Sequence, residues 1–340
     1  MKKGSGYLNT ERFNRGEFWR LLFQWLFFAW IVGIGIRFSL FVRHFESGGV
    51  APLFARPPGV EGFLPIGALV SLKHWLVTGE IDRTHPAALV LLLTFIVMSL
   101  LARKSFCSWL CPVGTLSEGL WKLGRRMFGK TFRMWDWLDL PLRGLKYLLL
   151  LFFVKIVFLD MPVRALEGFL QTPYWAISDV KMLDFFTNMS LTVLIALALL
   201  GTLSLFYQNF WCRYLCPYGA LLGLFSMVSP VKIRRDPTAC TDCGKCSKAC
   251  PSRLPVHRKQ AIASPECTGC LSCSAICPTD ALSMALPFRR DLLVGWRFPL
   301  LVVGLYVLGV GVGMVSGHWE TILTYDDYRR LIPLASMLGH

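Results

Sequence analysis

Apolar residues in this chain gather into long blocks separated by short polar and basic segments. A helix needs roughly 20 mainly apolar residues to cross a bilayer. Five blocks meet or approach that length: 18–42, 86–102, 145–159, 191–207 and 298–316. Only Arg20, Gln24 and Arg37 interrupt the first. The third is short and holds Lys155, whose long side chain reaches an interface if the helix tilts. A weaker block, 63–77, contains Lys73 and His74 and reads as an interfacial or half-buried helix. The pattern predicts a mainly α fold, a polytopic transmembrane bundle of about five spans.

Composition agrees. Hydrophobic residues make up 54% of the chain and charged residues 17%, with mean hydropathy +0.50. Soluble chains carry about 25% charge, so an ordinary soluble domain is excluded. The net charge of +15 raises the question of a nucleic-acid partner, and its placement answers it. With five spans and an inside N-terminus, segments 1–20, 103–146 and 209–297 hold 26 Lys and Arg, against 8 in 43–85, 160–188 and 317–340. That is a positive-inside bias, so the basic balance reports topology and no nucleic acid is expected. The first apolar block is too long for a signal-peptide core and no small-residue cleavage site follows it, so cleavage is not expected.

The pattern also repeats. Phe106-Cys-Ser-Trp-Leu-Cys-Pro-Val-Gly-Thr-Leu116 and Trp211-Cys-Arg-Tyr-Leu-Cys-Pro-Tyr-Gly-Ala-Leu221 share the form aromatic-C-x-aromatic-L-C-P-x-G-x-L. Each copy follows a pair of expected spans, which predicts two parallel repeats. Near Ser229-Pro230 the composition turns polar, basic and rich in Cys and Pro. The expected organisation is a membrane domain (1–230) and a small cytoplasmic domain (231–291). A last transmembrane helix (292–316) and an outside tail (317–340) follow. In the tail, Tyr325-Asp-Asp-Tyr-Arg-Arg330 reads as a surface helix on the membrane, or as a docking surface for an external partner.

The small domain carries the clearest chemistry. Cys240-x2-Cys243-x2-Cys246-x3-Cys250-Pro251 is followed by Cys267-x2-Cys270-x2-Cys273-x3-Cys277-Pro278. This is the two-cluster ferredoxin pattern, in which the fourth cysteine of each run ligates the other run's cluster. Cys240, Cys243, Cys246 and Cys277 are therefore expected to hold one [4Fe–4S] cluster, and Cys267, Cys270, Cys273 and Cys250 the second. The prolines turn the chain away after each fourth cysteine, and Gly244 and Gly269 permit tight loops. Zinc knuckles do not require this duplicated spacing, and a cytoplasmic position disfavours disulfides. Lys245, Lys248, Arg253, Arg258 and Lys259 read either as a solvated face or as cations that favour the reduced clusters.

The remaining four cysteines, Cys107, Cys111, Cys212 and Cys216, all lie in the C-x3-C-P repeats. Pairs at i and i+4 share a helix face. Pro112 and Pro217 suit a first helical turn, where the helix dipole lowers a neighbouring thiol pKa. If the repeats pack together, the four sulfurs converge, which leaves three readings open: a metal or third-cluster site, thiol–disulfide redox chemistry, or a structural role. No C-x-x-C-H is present, so c-type haem is excluded. Of His44, His74, His85, His257, His318 and His340 none lies deep in a span, which argues against buried haem b. His74, His85 and Arg37 read as satisfied interfacial side chains or as a quinone headgroup site. Nucleotide-binding glycine motifs are missing.

Taken together, two C-x3-C-P motifs and a double ferredoxin pattern behind apolar spans resemble the NapH family of membrane ferredoxins. The wider group includes the membrane portion of NosR and the CcoG-type assembly proteins. The resemblance covers most of residues 18–316. It implies a multi-pass quinol dehydrogenase component in a bacterial inner membrane, with its clusters on the cytoplasmic side. Electrons would pass between quinone and a partner, a ferredoxin-like or cytochrome subunit of a periplasmic reductase system. The alternatives are an assembly factor that reduces a metal or thiol for another respiratory enzyme, and a redox-sensing regulator. Copper handling would call for Met and His clusters in the outside loops, and the 11 methionines are scattered.

Overall fold

The computed structural model describes residues 15–287, 296–335 and 337. The boundary expected at 291, the basic residues Lys2, Lys3, Arg12, Arg289 and Arg290, and His340 lie outside the described residues. Helices dominate. A long α1 (Arg15–Glu46) leads through a 3-10 turn (Pro58–Phe63) to α2 (Pro65–Thr78) and α3 (Pro86–Ala102). Next come the first cysteine motif, split between α4 (Phe106–Trp109) and α5 (Pro112–Phe128), and α6 (Asp136–Val154), which ends in a π-helical turn (Lys155–Asp160). Then follow α7 (Val163–Leu170), α8 (Pro173–Ala176), α9 (Ser178–Thr187) and α10 (Leu191–Phe206). The second motif occupies α11 (Phe210–Tyr214) and α12 (Pro217–Ser226).

The ferredoxin-like segment is framed by a two-stranded antiparallel ribbon, β1 (Lys232–Arg235) with β2 (Leu282–Ala285), in register Lys232 to Ala285 and Arg235 to Leu282. Between the strands lie α13 (Lys245–Ala249) and α14 (Ser272–Ala275). After β2 come α15 (Arg297–Val315) and α16 (Tyr325–Leu331).

The expectation of five spans, two per repeat, is not what the structure shows. Among the described residues, two helices are long and apolar enough to cross a membrane, Phe18–Glu46 and Arg297–Val315. A third would need α9 and α10 to count as one span, and they meet at a 75° bend. The reasons are physical. At about 1.5 Å per residue, the 17 residues of α3 reach about 26 Å, short of a bilayer core of about 30 Å. Much of α3 is buried in protein, with Ala87, Leu89, Met98 and Ala102 fully enclosed. The 145–159 block belongs to a helix that begins at Asp136 and carries Asp139, Arg143 and Lys146. Its end is a π-helical turn, and the buried Lys73 ammonium donates to the freed carbonyls of Val157, Phe158 and Met161. Lys155 pairs with Asp160 at 2.6 Å.

Helix α3 runs antiparallel to α15, with Thr94 against Gly309 and Val90 against Gly313. One core then continues from Leu91, Phe95 and Met98 through Trp109 and Phe298 to Ile233 and Met284 of the ribbon. It joins the helices to the cysteine-rich segment. At the opposite end, Phe38, Phe41 and Phe45 of α1 pack with Val60, Ile177, Val180 and Tyr328. The tail helix α16 thus docks on its own chain, with the Tyr325 hydroxyl 2.9 Å from Nε2 of His44.

Candidate metal centres

The ferredoxin-like cysteines surround two cavities. Cys240, Cys243, Cys246 and Cys277 line one, and Cys250, Cys267, Cys270 and Cys273 line the other. In each, three cysteines come from one C-x2-C-x2-C run and the fourth from the partner run. Local backbone explains how. Residues two and four places after the first cysteine adopt left-handed conformations in both runs: Asp242 (φ 51°) and Gly244 (φ 68°), then Gly269 (φ 63°) and Leu271 (φ 61°). Each run places one glycine at one of these positions and an ordinary L-residue at the other. The third residue past each fourth cysteine, Arg253 or Asp280, is left-handed too. These reversals curl the backbone around each cavity, and the Lys245 N–H is directed at the sulfur of Cys243, lowering that thiol's pKa.

Four thiolates ringing a cavity suit a four-iron cube, which needs one ligand at each iron. Among the described residues, no three His, Cys, Asp or Glu side chains converge closely enough to hold a single ion. Cys243 is exposed, whereas Cys250, Cys267 and Cys273 are buried. The first cavity therefore lies nearer the surface.

The two C-x3-C-P motifs fold alike. Leu110 N and Cys111 N both donate to Phe106 O, at 3.0 and 2.9 Å. Leu215 N and Cys216 N both donate to Trp211 O, at 2.9 and 3.0 Å. Pro112 and Pro217 each start a new helix with the preceding cysteine as N-cap. The expected shared helix face is therefore replaced by a break, with one cysteine on each side of it. Cys216 Sγ accepts the Gly219 N–H at 3.2 Å.

The expected lowering of the thiol pKa at these helix starts is not found. Burial wins: it pushes Cys107 up to about 11 and Cys111 up to about 12, and it raises Cys212 and Cys216 as well. The Gly219 N–H opposes the rise at Cys216 without reversing it.

All four of these cysteines line a third cavity of about 590 Å³. Part of its lining is apolar, including Leu69, Phe95, Leu149, Phe153, Met182 and Phe186. The lining also carries the charged residues Lys104, Glu118, Arg213 and Glu266. Cys270, Thr268, Pro251 and Ser252 line this cavity and that of Cys250, so the two share a wall. The cysteine-rich segment is fastened across that wall. Arg103 donates to Ser226 O and Ser264 O at 2.7 and 2.6 Å, Ser108 to Thr268 O at 2.7 Å, and Trp109 Nε1 to Gly269 O at 3.2 Å. Lys146 holds both carboxylate oxygens of Glu266 at 2.6 Å. Arg213 bridges Asp139 and Ser252 O. Burial opposes the ionisation of Glu118, yet Arg20, paired through both guanidinium nitrogens at 2.7 Å, holds its pKa near 2.

The sequence singled out none of Lys104, Glu118 and Glu266. A lysine and an arginine placed between an apolar helix and a cysteine motif were the available signal. Arg37, His74 and His85 make no hydrogen bond or ion pair with one another among the described residues. Arg37 is exposed, His74 bonds the Glu80 carbonyl, and His85 is fully buried beside Trp175.

Apolar helices packed onto a double set of four cluster-type cysteines define an electron-transfer protein that works through two [4Fe–4S] clusters. The chain belongs to the ferredoxin-type membrane proteins related to YccM, NapH and NosR. A family model for a 4Fe-4S binding domain matches residues 84–131 and again 189–236, and one for a 4Fe-4S dicluster domain matches 232–278. The chain is 48% identical to the putative electron transport protein YccM of Escherichia coli, over 98% of this chain and 95% of that one. It is 27% identical to the ferredoxin-type protein NapH of Haemophilus influenzae, over 73% and 80%. To the regulatory protein NosR of Pseudomonas aeruginosa it is 33% identical, over 48% of this chain and 22% of that one. No solved structure matches the chain.

Proposed function

We propose that the chain is an electron-transfer subunit of quinol dehydrogenase type, anchored by α1 and α15 in a bacterial inner membrane. In this reading Cys240, Cys243, Cys246 and Cys277 hold one cluster, and Cys250, Cys267, Cys270 and Cys273 hold the other. Cys107, Cys111, Cys212 and Cys216 hold a third redox centre. The observation that carries the reading is the 590 Å³ cavity. Its apolar lining has the chemistry to take a lipophilic quinol, four cysteines line the same cavity, and its wall is shared with a cluster cavity. An electron donor dissolved in the bilayer thereby gains a short route to the ferredoxin-like segment.

The clusters, when bound, supply one-electron carriers, and the protein supplies position and charge. Basic residues gathered at the cluster end, among them Lys122, Arg125, Arg126, Lys130, Lys245 and Lys248, support a cytoplasmic placement of that end. The partner is a redox protein of a reductase system, cytochrome or ferredoxin-like in kind. The test is EPR-monitored reduction of anaerobically purified protein in detergent by a short-chain quinol. Clusters reduced by quinol support the proposal. Clusters that respond to dithionite and ignore quinol at every pH overturn it and favour an assembly factor fed from the cytoplasm.

A further inference from the structure

Lys104 stands in the wall of the third cavity, between α3 and α4, and is 4% exposed. Its ammonium makes no hydrogen bond or ion pair among the described residues. The other charges around the cavity are compensated: Lys146 by Glu266, Arg213 by Asp139, and Glu118 by Arg20 and Lys122. An isolated buried cation is strongly unfavourable, and proteins pair such charges or neutralise them. The groups whose negative charge favours the Lys104 ammonium are Cys107, Glu266, Cys216 and Cys212, and Glu266, the one carboxylate among them, serves Lys146 as well, so two ammonium groups share a single carboxylate. What remains is an anion in the cavity, bounded by the cysteines.

Resting on the proposed third redox centre, we infer that it is a polynuclear iron–sulfur cluster and that Lys104 is the fixed counter-charge that sets its reduction potential. The donor set decides the class. All four cysteines line one cavity, as the ferredoxin-like cysteines line theirs in fours, and a four-iron cube takes one thiolate at each iron. Four thiolates around a four-iron cube leave a net negative charge, and one-electron reduction adds one more while every Fe–S(Cys) bond stays in place. A cation buried beside the centre favours the more negative state and raises the potential. Lys104 thereby brings the centre within reach of a quinol donor, ahead of the cluster across the shared wall. It is a positioning charge and forms no bond to iron.

The experiment is iron analysis with EPR-monitored potentiometry of the full chain in detergent, for wild type, Lys104→Met and Lys104→Arg. Wild type is expected to hold about 12 iron atoms, three cubes of four. Lys104→Met should move the midpoint of one signal downward and leave the other two in place, and Lys104→Arg should restore it. About 8 iron atoms in wild type would overturn the third centre itself. About 12 iron atoms with an unmoved midpoint in Lys104→Met would overturn the role of Lys104 alone. Loss of the third signal in both variants would also overturn that role, since the charge-retaining variant should keep it.

Discussion

Steric demands separate two glycines that the sequence presents as equivalents. Both C-x3-C-P motifs end in C-P-x-G, yet a Cβ on Gly114 would sit 2.3 Å from the Cys107 carbonyl oxygen, inside any tolerable contact. At Gly219 the nearest atom is Cys216 Sγ at 3.4 Å, and the Cys212 carbonyl is 3.9 Å away. Gly114→Ala should therefore destabilise by about 2–4 kcal/mol, in the range of overpacked or strained core sites. Gly219→Ala should cost under about 1 kcal/mol. Thermal unfolding of the two variants in detergent checks this, and equal losses would show that the repeats are equally tight. At this scale the grouping of the ferredoxin-like cysteines around two cavities was legible, because their spacing is written in the chain. The left-handed Asp242 and Leu271 were not, since L-residues there are held by the surrounding fold. Nor was the sign of the C-x3-C-P thiol shifts: burial, which the local pattern does not reveal, outweighs the helix start.

Among the elements, the helix-forming blocks were readable and their roles were not. Hydropathy marks a segment as apolar without saying whether lipid or protein surrounds it. Helix α3 is apolar because it is enclosed, with α15, α2 and α12 packed around it. Helix α10 reads similarly in sequence, yet Leu191, Leu194, Ile195 and Leu199 are exposed. The seam between α3 and α15 depends on small residues, as close helix packing in apolar surroundings does. A Cβ on Gly309 would meet Thr94 Oγ1 at 2.2 Å, and one on Gly313 would meet Val90 Cγ1 at 2.7 Å. Nothing lies within 4 Å of a Cβ on Gly311, which is on the opposite face of the helix. Gly309→Ala is expected to separate the helices and lower thermal stability in detergent by about 1–3 kcal/mol, with Gly311→Ala near neutral. A neutral Gly309→Ala would mean that α15 is held by lipid and not by α3.

Across the whole molecule, α1 and α15 connect two polar ends, and the cysteines cluster at one of them. At the far end Arg56 bridges Glu61 and Asp179 at 2.8 and 2.7 Å, while Asp82 accepts from Trp175 Nε1 at 3.1 Å. Lys181 donates to Ala335 O, and Tyr328 packs alongside. His85 stands among them, with Nε2 2.7 Å from Trp175 O and 3.0 Å from Ser178 Oγ. A carbonyl only accepts, so Nε2 carries hydrogen. Nδ1 faces Glu61 Oε1 at 3.4 Å, where a second proton is favoured. Burial pushes the imidazole pKa down, but the facing carboxylate of Glu61 and the charge of Asp179 outweigh it, and the pKa is raised above 6.5. A raised folded pKa stabilises fully below the unfolded value of about 6.5 and is lost as pH climbs through the folded value. His85→Gln should thus cost about 1–3 kcal/mol near pH 6, and the gap from wild type should narrow steadily toward pH 9. Thermal unfolding of both proteins across that range is the measurement. A gap that stays constant with pH would mean that His85 keeps one charge state across that range, which overturns the expected titration.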